Sequence, residues 1–358
     1  MADRYFSYEA MEEIQSGEHG SQVVFYKRTR LEDAGIRRFS EQDVRELLGL
    51  GAAAAAALLP ARSWPSICRF SSGLRYERKR RKHYADYARA MAAVLRVDDD
   101  AIVEASFRSH LDVMARRRFG LALDHVAPRR NSPIDVSGSE QLRQALDRGR
   151  GAIVWASQFA FQTLAGKRAL WEQGFKAIQI SDPYHGFTST RVGNLTHNPV
   201  LRRAEDRYLK GRIIFDRESG AAVTRKIVGL LDQGELILLT NNVHAGAMFL
   251  EMPIGARGHV SMPTAPLSIV ARRATPFFSM AIVETEPFGR FEAAIRPISD
   301  GTSDGARSSA AKRDYARMAA LALTARDHLF EHVRRAPEQY LVMGNLGRSM
   351  FGSPRGST

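Results

Sequence analysis

The sequence predicts an α/β fold, with a largely parallel sheet flanked by helices and a helical region before it. From Ile134 onward, short apolar runs alternate with helical stretches, which is typical of a parallel sheet whose connections are helices. Before that point, the apolar residues recur at helical spacing. With 358 residues, 44% of them apolar, the chain is long enough to bury a sizeable core.

Composition and turn residues divide the chain into four parts. Residues 1–39 are polar and of mixed charge, 40–130 are helical and basic, 133–346 form the α/β domain, and 347–358 form a flexible tail. The boundary before the α/β domain is the stretch from Pro128 to Pro133, where two prolines enclose polar residues.

Six apolar runs are predicted as strands of the sheet: 134–138, 152–156, 177–180, 213–215, 236–239 and 277–283. Predicted helices of this domain are 140–148, 221–231, 264–273 and 311–335. In the N-terminal region, Ser40 followed by Asp43 predicts a capped helix start. Two further helices are predicted over 84–95 and 98–121.

The formal charge of +13 favours partners that carry phosphates or carboxylates, such as acidic lipid headgroups or phosphorylated thioester donors. The Arg-rich usage of a GC-rich genome explains the excess at least as well. Because no recognised nucleic-acid-binding motif accompanies the charge, we expect no nucleic-acid partner. The single cysteine, Cys68, excludes an internal disulfide and a zinc cluster, and we expect neither a metal nor a cofactor.

Basic residues are concentrated between Arg62 and Lys82, where eight stand against one acid and the first part is interleaved with aromatic and apolar residues. Such a helix beside an apolar one is typical of a protein that rests on an anionic membrane surface. A solvated face without a partner is an equal alternative. The longest apolar run, Leu47 to Leu59, is shorter than the about 20 residues that a span needs.

The first forty residues have mixed charge and no apolar core of a secretory signal. A single cysteine also suits a reducing compartment. We therefore expect a cytoplasmic protein, held peripherally on the inner face of the cytoplasmic membrane if the basic run binds lipid.

The functional site is predicted just after the strand 152–156. Ligands of open α/β sheets bind beyond the carboxyl ends of the strands. The segment from Ser157 to Thr163 begins at that point and carries two polar side chains, Gln158 and Thr163, toward the expected crevice.

From Ile134 to Tyr340, the order of segments resembles the lipid A late acyltransferase family, which belongs to the lysophospholipid acyltransferase-like superfamily and includes the mycobacterial phosphatidylinositol mannoside acyltransferases. Local matches are Thr196–Arg203, with Asn-Pro at a helix start, Asp216-Arg217-Glu218 before a helix, and Ala336-Pro337-Glu338-Gln339-Tyr340. The resemblance implies a glycerolipid acyltransferase-like fold. It also implies acyl transfer from a thioester donor, acyl-CoA or an acyl-carrier protein, to a hydroxyl or amine, with lipids and glycolipids among the acceptors.

In that family the strand is followed by His-x-x-x-x-Glu or Asp, in which the His is the general base and the acid orients it. The corresponding positions here are Gln158 and Thr163. Because a carboxamide has no useful proton affinity near neutral pH, Gln158 cannot be the base, although it can hold a carbonyl by a hydrogen bond. The family's acidic turn after the strand 236–239 is also replaced, by Thr240-Asn241-Asn242-Val243-His244.

A substitute base is expected among three histidines near strand ends, because neutral imidazole can take a proton at neutral pH. His244 is ranked first, since it follows the strand 236–239 at the same sheet edge as Gln158. We therefore predict Gln158 and His244 as catalytic. The predicted substrate-binding residues are Thr163, Asn241, Asn242, His185, His197, Arg202 and Arg217. For Arg202, which precedes Glu205 and Asp206, a salt-bridged helix face is at least as good an interpretation.

A second hypothesis is a catalytically silent relative that binds an acyl lipid or a partner protein in the same cleft. An active enzyme should bring His, Asn and Arg side chains together in a cleft. A silent relative should disperse them and retain only an apolar groove.

Overall fold

The structure is a computed structural model, which describes residues 6–8, 11–16, 23–28, 31–33, 37–126, 132–181, 185–186, 188–214, 220–241, 248–301 and 311–349. Over these residues the α-helices are α1 (Glu41–Ala56), α2 (Trp64–Ala90), α3 (Asp100–Val126), α4 (Ser139–Asp147), α5 (Lys167–Glu172), α6 (Arg191–Leu195), α7 (Asn198–Asp206), α8 (Gly220–Asp232), α9 (Ala265–Arg273) and α10 (Ala311–Arg335). The strands are β1 (Phe6–Tyr8), β2 (Met11–Ser16), β3 (Val24–Arg28), β4 (Leu31–Asp33), β5 (Ile134–Ser137), β6 (Ala152–Ala156), β7 (Ala177–Ser181), β8 (Gly211–Ile214), β9 (Leu236–Thr240), β10 (Met248–Ile254), β11 (Gly258–Pro263), β12 (Phe277–Glu286) and β13 (Arg290–Ser299).

The predicted α/β class is confirmed. A seven-stranded sheet has the order β5-β13-β12-β6-β9-β7-β8, and all six predicted strands belong to it. Five neighbouring strands, from β12 to β8, run parallel, while β13 is antiparallel to β12 and parallel to β5. The carboxyl ends of β6, β9, β7 and β8 therefore lie along one edge of the sheet.

Alternate residues of the strands are buried against helices on both faces of the sheet, as expected for a parallel sheet. On one face, Val154 and Leu238 pack with Leu142 of α4 and Leu170 of α5. On the other, residues of β6 and β9 pack with those of α8, α9 and α10. α10 buries one face in this core, since Met318, Ala322, Ala325, Leu329 and Val333 are all buried at helical spacing.

A second, antiparallel sheet has the order β11-β10-β3-β2. Its strands β2 and β3 come from the polar N-terminal segment, for which no strand was predicted. Phe25 of β3 is buried, and its ring packs on Tyr315 of α10 with centroids 4.9 Å apart. A short apolar stretch in a polar segment thus pairs with β10, which lies more than 200 residues later in the sequence.

The N-terminal helices differ from the prediction in one respect. α1 begins as predicted, with Ser40 donating its backbone N–H to Oδ2 of Asp43 at 2.7 Å. The predicted separate helix over 84–95 is wrong, because α2 runs from Trp64 and continues into a π turn at Met91–Leu95. The helix continues past residue 84 because no Gly or Pro interrupts residues 74–90. Among the described residues, no helix is long and apolar enough to cross a membrane.

Candidate functional site

The segment after β6 is held by the C-terminal block that resembled the acyltransferase family. The backbone N–H of Leu341 donates to the carbonyl of Gln158 at 2.9 Å, and that of Ala160 donates to the carbonyl of Gln339 at 2.8 Å. Between them, Phe159 and Tyr340 form an isolated bridge, with ring centroids 5.4 Å apart. The position of Gln158 is therefore fixed by backbone pairing to a segment far away in the sequence.

Two carboxamides lie at the ends of adjacent strands. Gln158 follows β6 and Asn241 follows β9, and the side chains of both are largely buried. The N–H of Asn241 donates to the carbonyl of Ala156 at 3.0 Å. Its Oδ1 is buried and has no hydrogen-bond partner among the described residues. An acceptor of this kind is available to a donor group on a ligand.

Three of the predicted site residues, Asn242, His244 and Arg217, lie outside the described residues. His244 therefore stays a prediction for the catalytic base, and Asn242 and Arg217 stay predictions for substrate binding.

A cluster of charged side chains surrounds Glu205 at the ends of β7 and β8; we call it the Glu205 cluster, and it also contains Ser181, His185, Lys167 and Arg212. The Lys167 ammonium donates to Oε2 of Glu205, and both side chains are buried. Arg212 donates through Nη2 to the same oxygen at 2.8 Å and through Nη1 to Oγ of Ser181 at 2.6 Å. His185 Nε2 lies 2.8 Å from Oε1 of Glu205.

The basic groups around Glu205 keep its carboxyl group ionised. Burial alone would raise the pKa of Glu205, but Lys167 and His185 hold that pKa well below its usual range. Burial lowers the pKa of Lys167 to about 8, although Glu205 opposes the shift. Glu205 also raises the pKa of Arg212 against the effect of burial. The carboxylate therefore accepts hydrogen bonds from every donor around it.

His185 is the member of the Glu205 cluster that is open to solvent, with 24% of its side chain exposed. Because an ionised carboxylate can only accept, the hydrogen on the ring is assigned to Nε2, which lies 2.8 and 2.9 Å from the two oxygens of Glu205. In the neutral tautomer with this assignment Nδ1 carries no hydrogen, and no hydrogen-bond partner for Nδ1 lies among the described residues. This is the arrangement of a general base that a carboxylate orients.

The Asn-Pro motif at the start of α7 fixes the loop that carries His185. Asn198 accepts the N–H of Thr188 on Oδ1 at 3.1 Å and donates from Nδ2 to the carbonyl of Thr188 at 2.7 Å. A Cβ at Gly186 would lie 2.2 Å from Cγ of Asn198, so only glycine fits beside it. His185 lies three residues before Thr188, whose backbone N–H and carbonyl are both held by Asn198.

His197 and Arg202, predicted to bind substrate, both have hydrogen-bond partners within the protein. His197 is buried, with Nε2 3.1 Å from Oγ1 of Thr188 and Nδ1 3.0 Å from Oγ1 of Thr196. Thr188 also donates to Asp43 at 2.7 Å, so this network joins α1 to the α/β domain. Arg202 donates to the side chain of Asn194 at 2.9 Å, which ties α7 to α6.

A cavity of about 90 Å³ lies between α3, the segment 160–168 and the turn between β12 and β13; we call it the Arg117 cavity. Thr163, predicted as a substrate-binding residue, lines it. The other walls combine guanidinium groups with apolar side chains, including Arg116, Arg117, Arg168, Phe161 and Phe291. The Arg117 cavity is close enough to the Glu205 cluster for Glu205 to act on the charge of Arg117.

Sequence reasoning missed Lys167, Arg212 and Arg117, and it treated Glu205 only as part of an exposed helix face. One signal was available. Glu205 lies four residues after Leu201 on α7, and this spacing puts both on the same, buried face. The pairing of Glu205 with Lys167, 38 residues away, leaves no such signal.

No protein-family model matches this chain, and no curated protein matches it. The resemblance to the acyltransferases therefore rests on the motifs quoted above.

Proposed function

We propose that this protein transfers an acyl group from a thioester donor, acyl-CoA or an acyl-carrier protein, to a hydroxyl or amine acceptor of the lipid or glycolipid class. The observation that carries the proposal is the pair of His185 and Glu205 at the carboxyl end of β7, which supplies the base and the orienting acid that Gln158 and Thr163 cannot supply. The donor is a substrate, and the proposal includes no cofactor.

In this reaction Nδ1 of His185 takes the proton of the acceptor while the acceptor atom attacks the thioester carbonyl carbon. The carbonyl oxygen becomes an oxyanion, which the Gln158 carboxamide stabilises as a hydrogen-bond donor. When the oxyanion collapses, the carbon–sulfur bond breaks and the thiolate takes the proton back from Nδ1. Glu205 keeps Nε2–H in place throughout, and stabilises the imidazolium without being protonated.

An anionic membrane surface is the proposed partner of the N-terminal helices. Phe70 and Leu74 of α2 are 70% and 73% exposed, and Arg78 and Arg81 follow on the same helix face. Leu58, in the connection between α1 and α2, is 87% exposed. Exposed apolar side chains flanked by basic ones suit an interface with anionic lipid. Binding to such a surface would place the protein on the inner face of the cytoplasmic membrane.

A binding protein without activity is the second candidate. It is favoured by the loss of the family's His-acid pair. Against it, the Glu205 cluster retains a histidine whose Nδ1 has no partner among the described residues, and a silent cleft does not need such a group.

The test is mass spectrometry of the purified full chain, incubated with a panel of acyl-thioesters and a lipid extract. Activity predicts a new acylated product. It should disappear in His185→Gln and weaken in Gln158→Ala, while His259→Gln, in which another histidine close to a glutamate is removed, should retain it. His244→Ala is included because His244 is the alternative base. No turnover together with a co-purifying acyl lipid would instead favour the binding protein.

A further inference from the structure

Three guanidinium groups border the Arg117 cavity, and two of them have acidic partners. Arg116 donates through Nε to Oε2 of Glu284 at 2.7 Å. Arg168 is paired with Glu172, whose Oε1 lies 3.2 Å from its Nε. Arg117 has no such partner among the described residues, and its Nε is buried without a hydrogen bond. Asp124, which also lines the cavity, is paired with Arg207, so among the described residues no acidic side chain is paired with the charge of Arg117.

The acids nearest to Arg117 are engaged elsewhere. Glu205 and Glu46 both act on the charge of Arg117 from a distance. Glu205 is already shared among the basic groups of its own cluster, and Glu46 is paired with Arg118 at 3.0 Å. Burial lowers the pKa of Arg117, which reflects the unfavourable surroundings of its charge. Arg117 as a whole is only partly buried, but a cation in such a position without an adjacent anion is still unfavourable, and an anion beside the guanidinium would lower that cost.

The remaining walls limit the size and the character of such an anion. Phe161, Leu164 and Phe291 make much of the lining apolar. The volume, about 90 Å³, is smaller than that of an apolar cavity of roughly 150 Å³ that holds benzene. A ligand of this site is therefore small, carries one negative charge, and has a short hydrocarbon part.

We propose that the Arg117 cavity binds a short-chain monocarboxylate of about two or three carbons, which has fewer non-hydrogen atoms than benzene. The carboxylate accepts hydrogen bonds from the guanidinium fork of Arg117, which matches its geometry, while the hydrocarbon packs on Phe161 and Phe291. Inorganic phosphate fits less well, because one free cation and an apolar wall leave its other oxygens without donors. Binding is reversible and does not depend on the acyl-transfer proposal.

Isothermal titration of the full chain tests this site with four probes: propionate, its neutral isostere propionamide, inorganic phosphate, and octanoate, which is too long for the cavity. We expect propionate to bind with a Kd of about 1 mM or lower. Propionamide should bind at least about tenfold more weakly, because it lacks the charged contact with Arg117. Phosphate and octanoate should also bind at least about tenfold more weakly, because phosphate leaves oxygens without donors and octanoate exceeds the length of the cavity.

Two variants complete the test. Arg117→Gln should weaken propionate binding at least about tenfold, and Arg108→Gln, on the exposed side of the same helix α3, should leave it within about twofold. Equal binding of propionate and propionamide, tighter binding of phosphate or octanoate, or no propionate binding at all would overturn the proposal. The comparison of the four probes uses the unaltered chain, so it decides the question even if Arg117→Gln does not fold.

Discussion

His185 and Glu205 are 20 residues apart in the sequence, yet Nε2 of the histidine lies within 2.9 Å of both carboxylate oxygens. The loop after β7 supplies the imidazole, and the buried face of α7 supplies the acid. In the acyltransferases that this chain resembles, the corresponding pair follows a single strand at a spacing of five residues. Here the pair is assembled from two elements at the same edge of the sheet, two strands away from Gln158.

Glu205 should be essential for stability, because it is the only acid bonded to the buried Lys167 among the described residues. Glu205→Gln is expected to lower the free energy of unfolding by about 3–5 kcal/mol, as for other buried ion pairs that lose one partner. Adding Lys167→Met should recover at least half of that loss. Urea denaturation at pH 7 measures both changes.

Glu331→Gln is the matched control, since Glu331 pairs with Arg296 on the surface. This substitution should lower the free energy of unfolding by about 1 kcal/mol or less. If Glu205→Gln cost no more than Glu331→Gln, the description of the Glu205 cluster as a buried ionised pair would be incorrect.

Asn198 should position the His185 loop without taking part in the reaction. Asn198→Ala removes two buried hydrogen bonds to the backbone of Thr188, and we expect it to cost about 2–4 kcal/mol of unfolding free energy. The loss of acyl transfer should be mainly in kcat, because the base is displaced. Asn345→Ala, at an exposed position, should change neither the unfolding free energy nor acyl transfer. Full activity in Asn198→Ala would show that the loop is held by other contacts.

Acid should destabilise the fold partly through His332, which packs against Phe159 beneath the Gln158 segment. Burial lowers the pKa of His332 to about 4, with Arg296 and Arg335 acting in the same direction and Glu331 against it. Between the usual pKa of 6.5 and about 4, the unfolded chain binds a proton that the folded chain does not. Stability therefore falls as pH falls through that window.

His332→Gln should reduce this acid-induced loss by on the order of 2–3 kcal/mol between pH 7 and pH 4.5. Urea denaturation at the two pH values measures the difference, and His259→Gln serves as the control at a more exposed site. If the pH dependence of the unfolding free energy were unchanged in His332→Gln, the pKa of His332 would be the same in the folded and the unfolded chain.

Membrane binding should depend on the basic end of α2. Replacing Arg78, Arg80, Arg81 and Lys82 by Gln should lower the fraction that floats with anionic liposomes at least about tenfold, since each basic residue near such a surface contributes about 1 kcal/mol. Replacing Arg148 and Arg150, which are exposed after α4, should have little effect. If both variants floated like the unaltered chain, this part of α2 would be a solvated face.

The parts of the fold that sequence could predict are those with a strong local pattern. α10 has the predicted bounds because its apolar residues repeat at helical spacing over its whole length. β6 is as predicted because all five of its residues are apolar and buried. β13 was not predicted, although the alternation of its buried residues Phe291, Ala293 and Ile295 with more exposed ones is itself a strand pattern.

The candidate site was harder to predict because its contacts are not local. Gln158 and Thr163 were identified from the strand end, and the structure places Thr163 in the Arg117 cavity. The inward orientation of Glu205 depends on Lys167 and Arg212, which belong to other elements. A single sequence shows the charges of such residues but not which of them meet.

The most direct measurement of the central claim is kcat/KM for acyl transfer with the best thioester, compared between His185→Gln and His259→Gln. A general base contributes on the order of 10²–10⁴-fold, so His185→Gln should lose at least about 100-fold while His259→Gln stays within about twofold of the unaltered chain. Turnover by His185→Gln within about twofold of the unaltered chain would contradict the account, and would show that His185 and Glu205 are not the base and its orienting acid.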